Sequence, residues 1–261
     1  SVGGNVTYVN TILINAGNET GIIDVASYHQ MGTIARGENG QVYPYFYGYK
    51  TDGVFQNWAE VNAYVNADGK LIQPEAQPGD FRYVDIDGNG SITAEGDRTV
   101  LGKCFAPWMY GFNLNMNWKG IDFSMIWQGV AGNSIFDGTR RTDIPSMNQP
   151  KYVLNRWTGE GSTNEYPRFT NVDPNQNWSK ASDFFIKDAS YFRLKNVILG
   201  YTLPASLTKK VFVNKLRVFV ACENALTFTK YDGFDPEVAS YMDRGVYPQA
   251  RTVQFGANIT F

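Results

Sequence analysis

The sequence predicts an all-β chain of antiparallel strands, and three observations predict it. The 261 residues include 26 Gly, 11 Pro and 15% aromatics, a composition that favours strands and turns over helices. Several segments alternate apolar and polar residues with a period of two, which gives a strand one apolar and one polar face. The connections between those segments alternate sharply in length.

Near the start, Val6, Tyr8, Ile12 and Ile14 give a weak alternation, interrupted by Asn10. From Tyr110 to Trp118 the pattern is clear. Tyr110, Phe112, Leu114, Met116 and Trp118 share one face, and Asn113, Asn115 and Asn117 the other. Three asparagines suit water better than a dry core. After Lys119-Gly120, Ile121, Phe123, Met125 and Trp127 alternate with Asp122, Ser124, an exceptional Ile126 and Gln128, which predicts a hairpin with a very short connection. The stretch Phe192 to Leu203 is extended, with a phase shift near Asn196 that predicts a bulge or bend. Leu216, Val218, Val220 and Cys222 form the next apolar face. In the last strand Val253, Phe255, Ala257, Ile259 and Phe261 alternate with small or polar residues.

The connections near residues 15 to 108, 132 to 190 and 224 to 250 are long and rich in Gly, Asn, Asp and Pro. Those after Trp118 and after Leu203 are short. If the strands run up and down in order, every long connection falls at one end, the asymmetry of a transmembrane β-barrel. Trp108 and Tyr110 at one end of a strand and Trp118 at the other are spaced like paired aromatic girdles. Amphipathic strands with long polar loops also describe a soluble β-sandwich, so composition alone leaves both architectures open.

Other features exclude function classes. A formal net charge of -2 argues against a general polyanion binder. Cys104 and Cys222, with no CxxC, and the lone His29 argue against a zinc site, a disulfide scaffold or a His-based triad. No apolar run approaches the ~18 residues of a membrane-spanning helix. With no initiator Met and no signal peptide, the chain reads as a mature fragment.

Four segments carry a family resemblance. FFIKDASYFRLKNVILGYTLP, residues 184 to 204, and FYGYKTDGVFQ, residues 46 to 56, resemble signatures of SusC/RagA-type TonB-dependent outer-membrane transporters. YDGFDPEV, residues 231 to 238, with YPQARTVQFGANITF, residues 247 to 261, resembles that family's last extracellular loop and final strand. NRWTGEGSTNEYPR, residues 155 to 168, is similar to its tryptophan loop, although Gly159 and Gly161 depart from the proline-rich spacing. The resemblance implies that residues 1–261 are the C-terminal portion of a barrel of ~22 strands. About six strands are expected here, with neither the plug domain nor the TonB box in this sequence. Such a segment has two open edges, so its strands are expected to pair with the remainder of the barrel.

What the resemblance implies about function is an outer-membrane nutrient importer of a Gram-negative bacterium, taking up oligosaccharides or oligopeptides without covalent chemistry. Its partners would be a SusD-like surface lipoprotein closing the outer mouth and the TonB complex pulling on the plug. By the same resemblance, the last strand, ending in an aromatic, is the insertion strand: Val253, Phe255, Ala257, Ile259 and Phe261. The reading from another class is a secreted or surface β-sandwich that binds glycans and carries a calcium turn.

The sharpest local motif is DIDGNGSITAEGD, residues 85 to 97. Side-chain oxygens of Asp85, Asp87 and Asn89, a turn glycine at Gly90, the Ser91 carbonyl and apolar Ile92 match the start of a calcium loop. An EF-hand places Glu at its twelfth position, where this chain has Gly96, with Glu95 before and Asp97 after. The candidate ligand set is therefore Asp85, Asp87, Asn89, Ser91 and Asp97, against the alternative of an ion-free turn. Asp235 and Glu237 have the residue types of a glycosidase pair, but loop hydrogen bonding is the expectation there. His29 and Lys209-Lys210 are expected to be solvated. Trp157, Tyr166, Trp178 and Tyr241 suit either sugar stacking or loop packing, with packing expected for most.

Overall fold

A computed structural model describes residues 1–140, 148–238 and 240–261. The chain opens with β1 (Val2–Tyr8). The first long connection carries β2 (Ile22–Ser27), β3 (Thr33–Glu38), β4 (Tyr45–Tyr49), β5 (Thr51–Val54), α1 (Trp58–Ala63), β6 (Phe81–Tyr83) and β7 (Arg98–Lys103). There follow β8 (Trp108–Trp118) and β9 (Ile121–Ala131), then β10 (Ser134–Asp137) and β11 (Ile186–Asp188) in the second long connection. After β12 (Tyr191–Thr202) come a short helix α2 (Ala205–Thr208) and β13 (Lys215–Thr229); the third long connection holds β14 (Met242–Asp243) before β15 (Thr252–Thr260).

Six strands form one antiparallel sheet in the order β1-β8-β9-β12-β13-β15. Its registers align the apolar residues into a continuous band. Val2, Leu114, Met125, Val197, Cys222 and Val253 stand side by side across all six strands. One step along, so do Met116, Phe123, Leu199, Val220 and Phe255. The opposite face carries Asn113, Asn115, Asn117, Ser124, Gln128, Gln254 and Asn258, with Ile126, Ile198 and Phe219 among its apolar exceptions. Among the described residues no second sheet covers the band: Val2 is 70% exposed and Phe255 83%. A self-contained sandwich would bury these side chains against each other.

The expected hairpin joins β8 and β9, with Trp118 opposite Ile121. Lys119 and Gly120 both take positive φ, 47° and 89°, as a two-residue turn of the primed type requires. The expected bulge is also present, since both partners of β12 shift register between Leu194 and Asn196. Two expectations need correction. Ile12 and Ile14 do not extend the first strand. It ends at Tyr8, where Val9 bonds Pro107 instead, Ile12 makes only an isolated bridge to Val42, and Ile14 is exposed. Phe261 lies one residue past β15, so the strand contributes Val253, Phe255, Ala257 and Ile259.

All three long connections leave the same end of the sheet, and they fold together instead of trailing as separate loops. Tyr28, Ile34 and Phe46 from the first, Phe136, Trp178 and Phe185 from the second, and Met242 from the third belong to one buried core. Strand β10 pairs antiparallel with β11 and parallel with β14, so the second and third connections share a small sheet. The Tyr28 hydroxyl lies 2.8 Å from both the Gly138 and the Arg140 carbonyl oxygens and shares its one proton between them, tying the first connection to the second. A buried polar set reinforces this tie: Arg168 pairs with Asp80 at 2.5 Å, and the fully buried Asn177 donates to Asp80 and Asp173 while accepting from the Phe81 amide. Buried polar groups satisfied in this way fix one arrangement and leave no unpaired charge.

Candidate functional site: the polar face and the cap above it

The acidic turn brings Asp85, Asp87 and Asp97 together, with one carboxylate oxygen from each within 4.8 Å of the others. Its shape comes from backbone donors. Asp85 accepts from the Gly88 and Gly90 amides at 2.8 Å each, and the fully buried Asp97 accepts from Ile86 at 2.7 Å and Thr93 at 2.6 Å. Asn89 turns its side-chain oxygen to the Ser91 amide and hydroxyl. At the twelfth position a Cβ on Gly96 would lie 2.0 Å from an Asp87 carboxylate oxygen, so a side chain there would require the exposed Asp87 to swing aside. Asp97, one residue later, supplies the third carboxylate. Among the described residues no Lys or Arg pairs with the three. Three gathered carboxylates with spare lone pairs and no counter-charge fit a hard cation that takes oxygen ligands.

Asp235 and Glu237 meet a partner that their own motif does not reveal. Arg193, 3% exposed on β12, donates to Asp235 at 2.6 Å, to Glu237 at 2.8 Å and to the Thr227 hydroxyl at 2.9 Å. Lys195 reaches Glu237 at 2.7 Å. Asp235 also accepts from the Glu237 amide at 2.9 Å and the Gln249 amide at 2.8 Å. Burial pushes the Asp235 carboxyl up, but Arg193 and the two backbone donors outweigh it and hold the group below the usual carboxylate range. Both carboxylates are thus engaged in holding the loop, as their turn-like motif suggested. Arg193 pairs in register with Gln128, on the sheet's polar face. The third connection is therefore pinned over that face.

Lower on the same face, Asp122 and Arg217 pair across β12 at 2.5 Å. On the opposite, apolar face the rings gather toward the two ends. Trp127 stacks on Phe192 at 4.7 Å beside Tyr110 and Phe228, while Trp118 and Tyr201 lie near the hairpin end. Of the loop aromatics, Trp178 is buried and Trp157, Tyr166 and Tyr241 pack partly covered against cap residues. His29 is exposed, with its ring 4.3 Å from that of Tyr28, and Lys209 and Lys210 are exposed in the turn after α2. Burial pushes the Cys104 thiol up to about 12, which leaves it inert. Cys222 sits on the apolar band. No helix among the described residues is long and apolar enough to cross a membrane, which says nothing of strands.

Both the sequence and the fold have known counterparts. The chain is 31% identical over 238 residues to TonB-dependent receptor P3 of Formosa agariphila, covering 85% of this chain and 22% of that protein. It is 27% identical over 246 residues to TonB-dependent receptor SusC of Bacteroides thetaiotaomicron, covering 93% of this chain and 23% of that protein. The chain is homologous to TonB-dependent receptors. It spans about a quarter of the length of the curated receptors it matches. Among solved structures, that of the RagAB peptide transporter superposes with a TM-score of 0.73 at 20% identity, covering all of this chain and 26% of that one. RagAB in its closed-closed state gives a TM-score of 0.71 at 22% identity. These likenesses establish the fold alone, nearly all strand in antiparallel sheets. No family model matches the chain.

Proposed function

We propose that this chain forms barrel wall and outward-facing connections of a SusC-like nutrient importer in the outer membrane of a Gram-negative bacterium. The observation that carries the reading is the exposed apolar band on six paired strands, with a polar reverse face and every long connection at one end. Lipid solvates the band and an aqueous lumen solvates the amides and hydroxyls of the other face. The open edges of β1 and β15 pair with the rest of the barrel, because unpaired backbone in lipid costs several kcal/mol per group. The β15 face of Val253, Phe255, Ala257 and Ile259 serves in membrane insertion.

In this role the chain binds and guides without covalent chemistry. The cap shapes the outer mouth and meets a SusD-like surface lipoprotein; the TonB complex acts through a plug domain elsewhere in the receptor. The cargo is an oligosaccharide or oligopeptide, the latter favoured by the solved neighbour described as a peptide transporter. Full-length receptor should appear in outer-membrane fractions and migrate faster in detergent gels before heating than after. Recovery as a soluble exported protein, with no heat-dependent shift, would overturn the reading.

We also propose that Asp85, Asp87 and Asp97 hold a structural calcium ion, with Asn89 and the Ser91 carbonyl as further oxygen donors. The ion would neutralise three adjacent carboxylates and stiffen the turn. Chelation should then raise protease cleavage between residues 80 and 100, and added calcium should reverse it. Identical cleavage with and without chelator would reject the ion.

A further inference from the structure

We propose that Arg193 and Asp235 set the size limit of the outer opening, by fixing how far the third long connection reaches over the polar face. This rests on the importer reading, in which that face lines the lumen.

Arg193 is in register just before the shift of β12, Lys195 is the unpaired residue within it, and both cations bond the third connection. Their partners lie in its first arm, at Asp235 and Glu237. The returning arm is held through the same carboxylate, because the second oxygen of Asp235 accepts from the Gln249 amide. One buried side chain thus joins three pieces of backbone: the wall, the outgoing arm and the returning arm. The middle of the connection is fixed separately, by β14 on β10 and by the Tyr231 hydroxyl donating to Asp243 at 2.5 Å. With the middle anchored in the cap and both arms clasped to the wall, the connection forms a bridge of fixed span at the rim. The clasp is charged and nearly dry, so removing one partner leaves a buried charge unpaired and frees both arms together.

The test uses full-length receptor on intact cells. Cys104 and Cys222 are replaced by Ser, and Gln128→Cys, in register with Arg193 on the polar face, reports access from outside. With the clasp intact, a small maleimide labels the reporter readily and a bulky polyethylene-glycol maleimide slowly. In Asp235→Asn/Glu237→Gln the bulky reagent should label at least ten-fold faster, with the small-reagent rate little changed. Arg193→Lys, which keeps a cation but cannot reach Thr227, Asp235 and Glu237 at once, should fall between. Heat-dependent migration confirms that each variant retains its barrel. An unchanged bulky-reagent rate in a folded double variant would overturn the clasp as the size determinant. Labelling by the small reagent only after cells are broken would instead overturn the importer reading, because the polar face would not open to the exterior.

Discussion

The six-stranded sheet and the cap use the same apolar residue types in opposite ways. In the sheet, Phe255, Trp118 and Val2 stand exposed on a two-residue period; in the cap, Phe46, Phe136 and Phe185 are almost wholly buried with no such period. The first pattern leaves a broad apolar surface that no other part of the described chain covers. The second is an ordinary protein interior, closed by its own polar network. The hydrophobic effect therefore stabilises the cap from within and the sheet only through what surrounds it.

The largest expected effect that separates the two regions lies in the cap. Phe136→Ala removes a ring packed 5.3 Å from Tyr28 and 5.7 Å from Phe185, and should cost about 3–5 kcal/mol. Protease cleavage within residues 20–40 and 230–250 should rise while heat-dependent migration of the receptor persists. Loss of both together would erase the distinction between cap and wall.

Next in size is a charge on the band. Val220→Arg, between Leu199 and Phe255, should cost about 2–4 kcal/mol and reduce the folded fraction in the outer membrane. Asn115→Arg, on the polar face of the same sheet, should stay within about 0.5 kcal/mol. Equal effects on membrane assembly would mean that the two faces do not see different solvents.

Acid gives a smaller and reversible effect, confined to the clasp. Because the Asp235 carboxyl is held below its ordinary range, its contribution is complete above the unfolded carboxylate pKa of about 3.9 and fades as pH falls through the lower folded value. Hydrogen exchange around residues 235 to 249 should accelerate only in that acidic window. Acceleration beginning near neutrality would point to another group.

The six-stranded sheet was largely legible in the sequence because each strand has one apolar and one polar face, and period two records both. The Lys119-Gly120 turn and the irregularity near Asn196 were readable for the same reason: each interrupts a strict alternation. That alternation also hid something. Strand β13 runs on to Thr229, but Asn224, at φ 51°, breaks its phase and made the strand look as if it ended at Cys222. The cap was illegible because its strands are short, and the most buried of them lacks a two-residue period. Tyr45–Tyr49 is buried at all five positions and shows no periodicity. The acidic residues of the turn could be found from spacing alone, since a tight loop gathers neighbours in sequence. Arg193 could not, because its partner Asp235 lies 42 residues away in a different element.

The shared interior of the cap has a consequence for engineering. Because Tyr28, Phe136 and Met242 come from three different connections and pack in one core, no single connection is a module. Transplanting one of them between related receptors would set foreign side chains against two unchanged neighbours, whereas moving all three as a set would carry their mutual fit along.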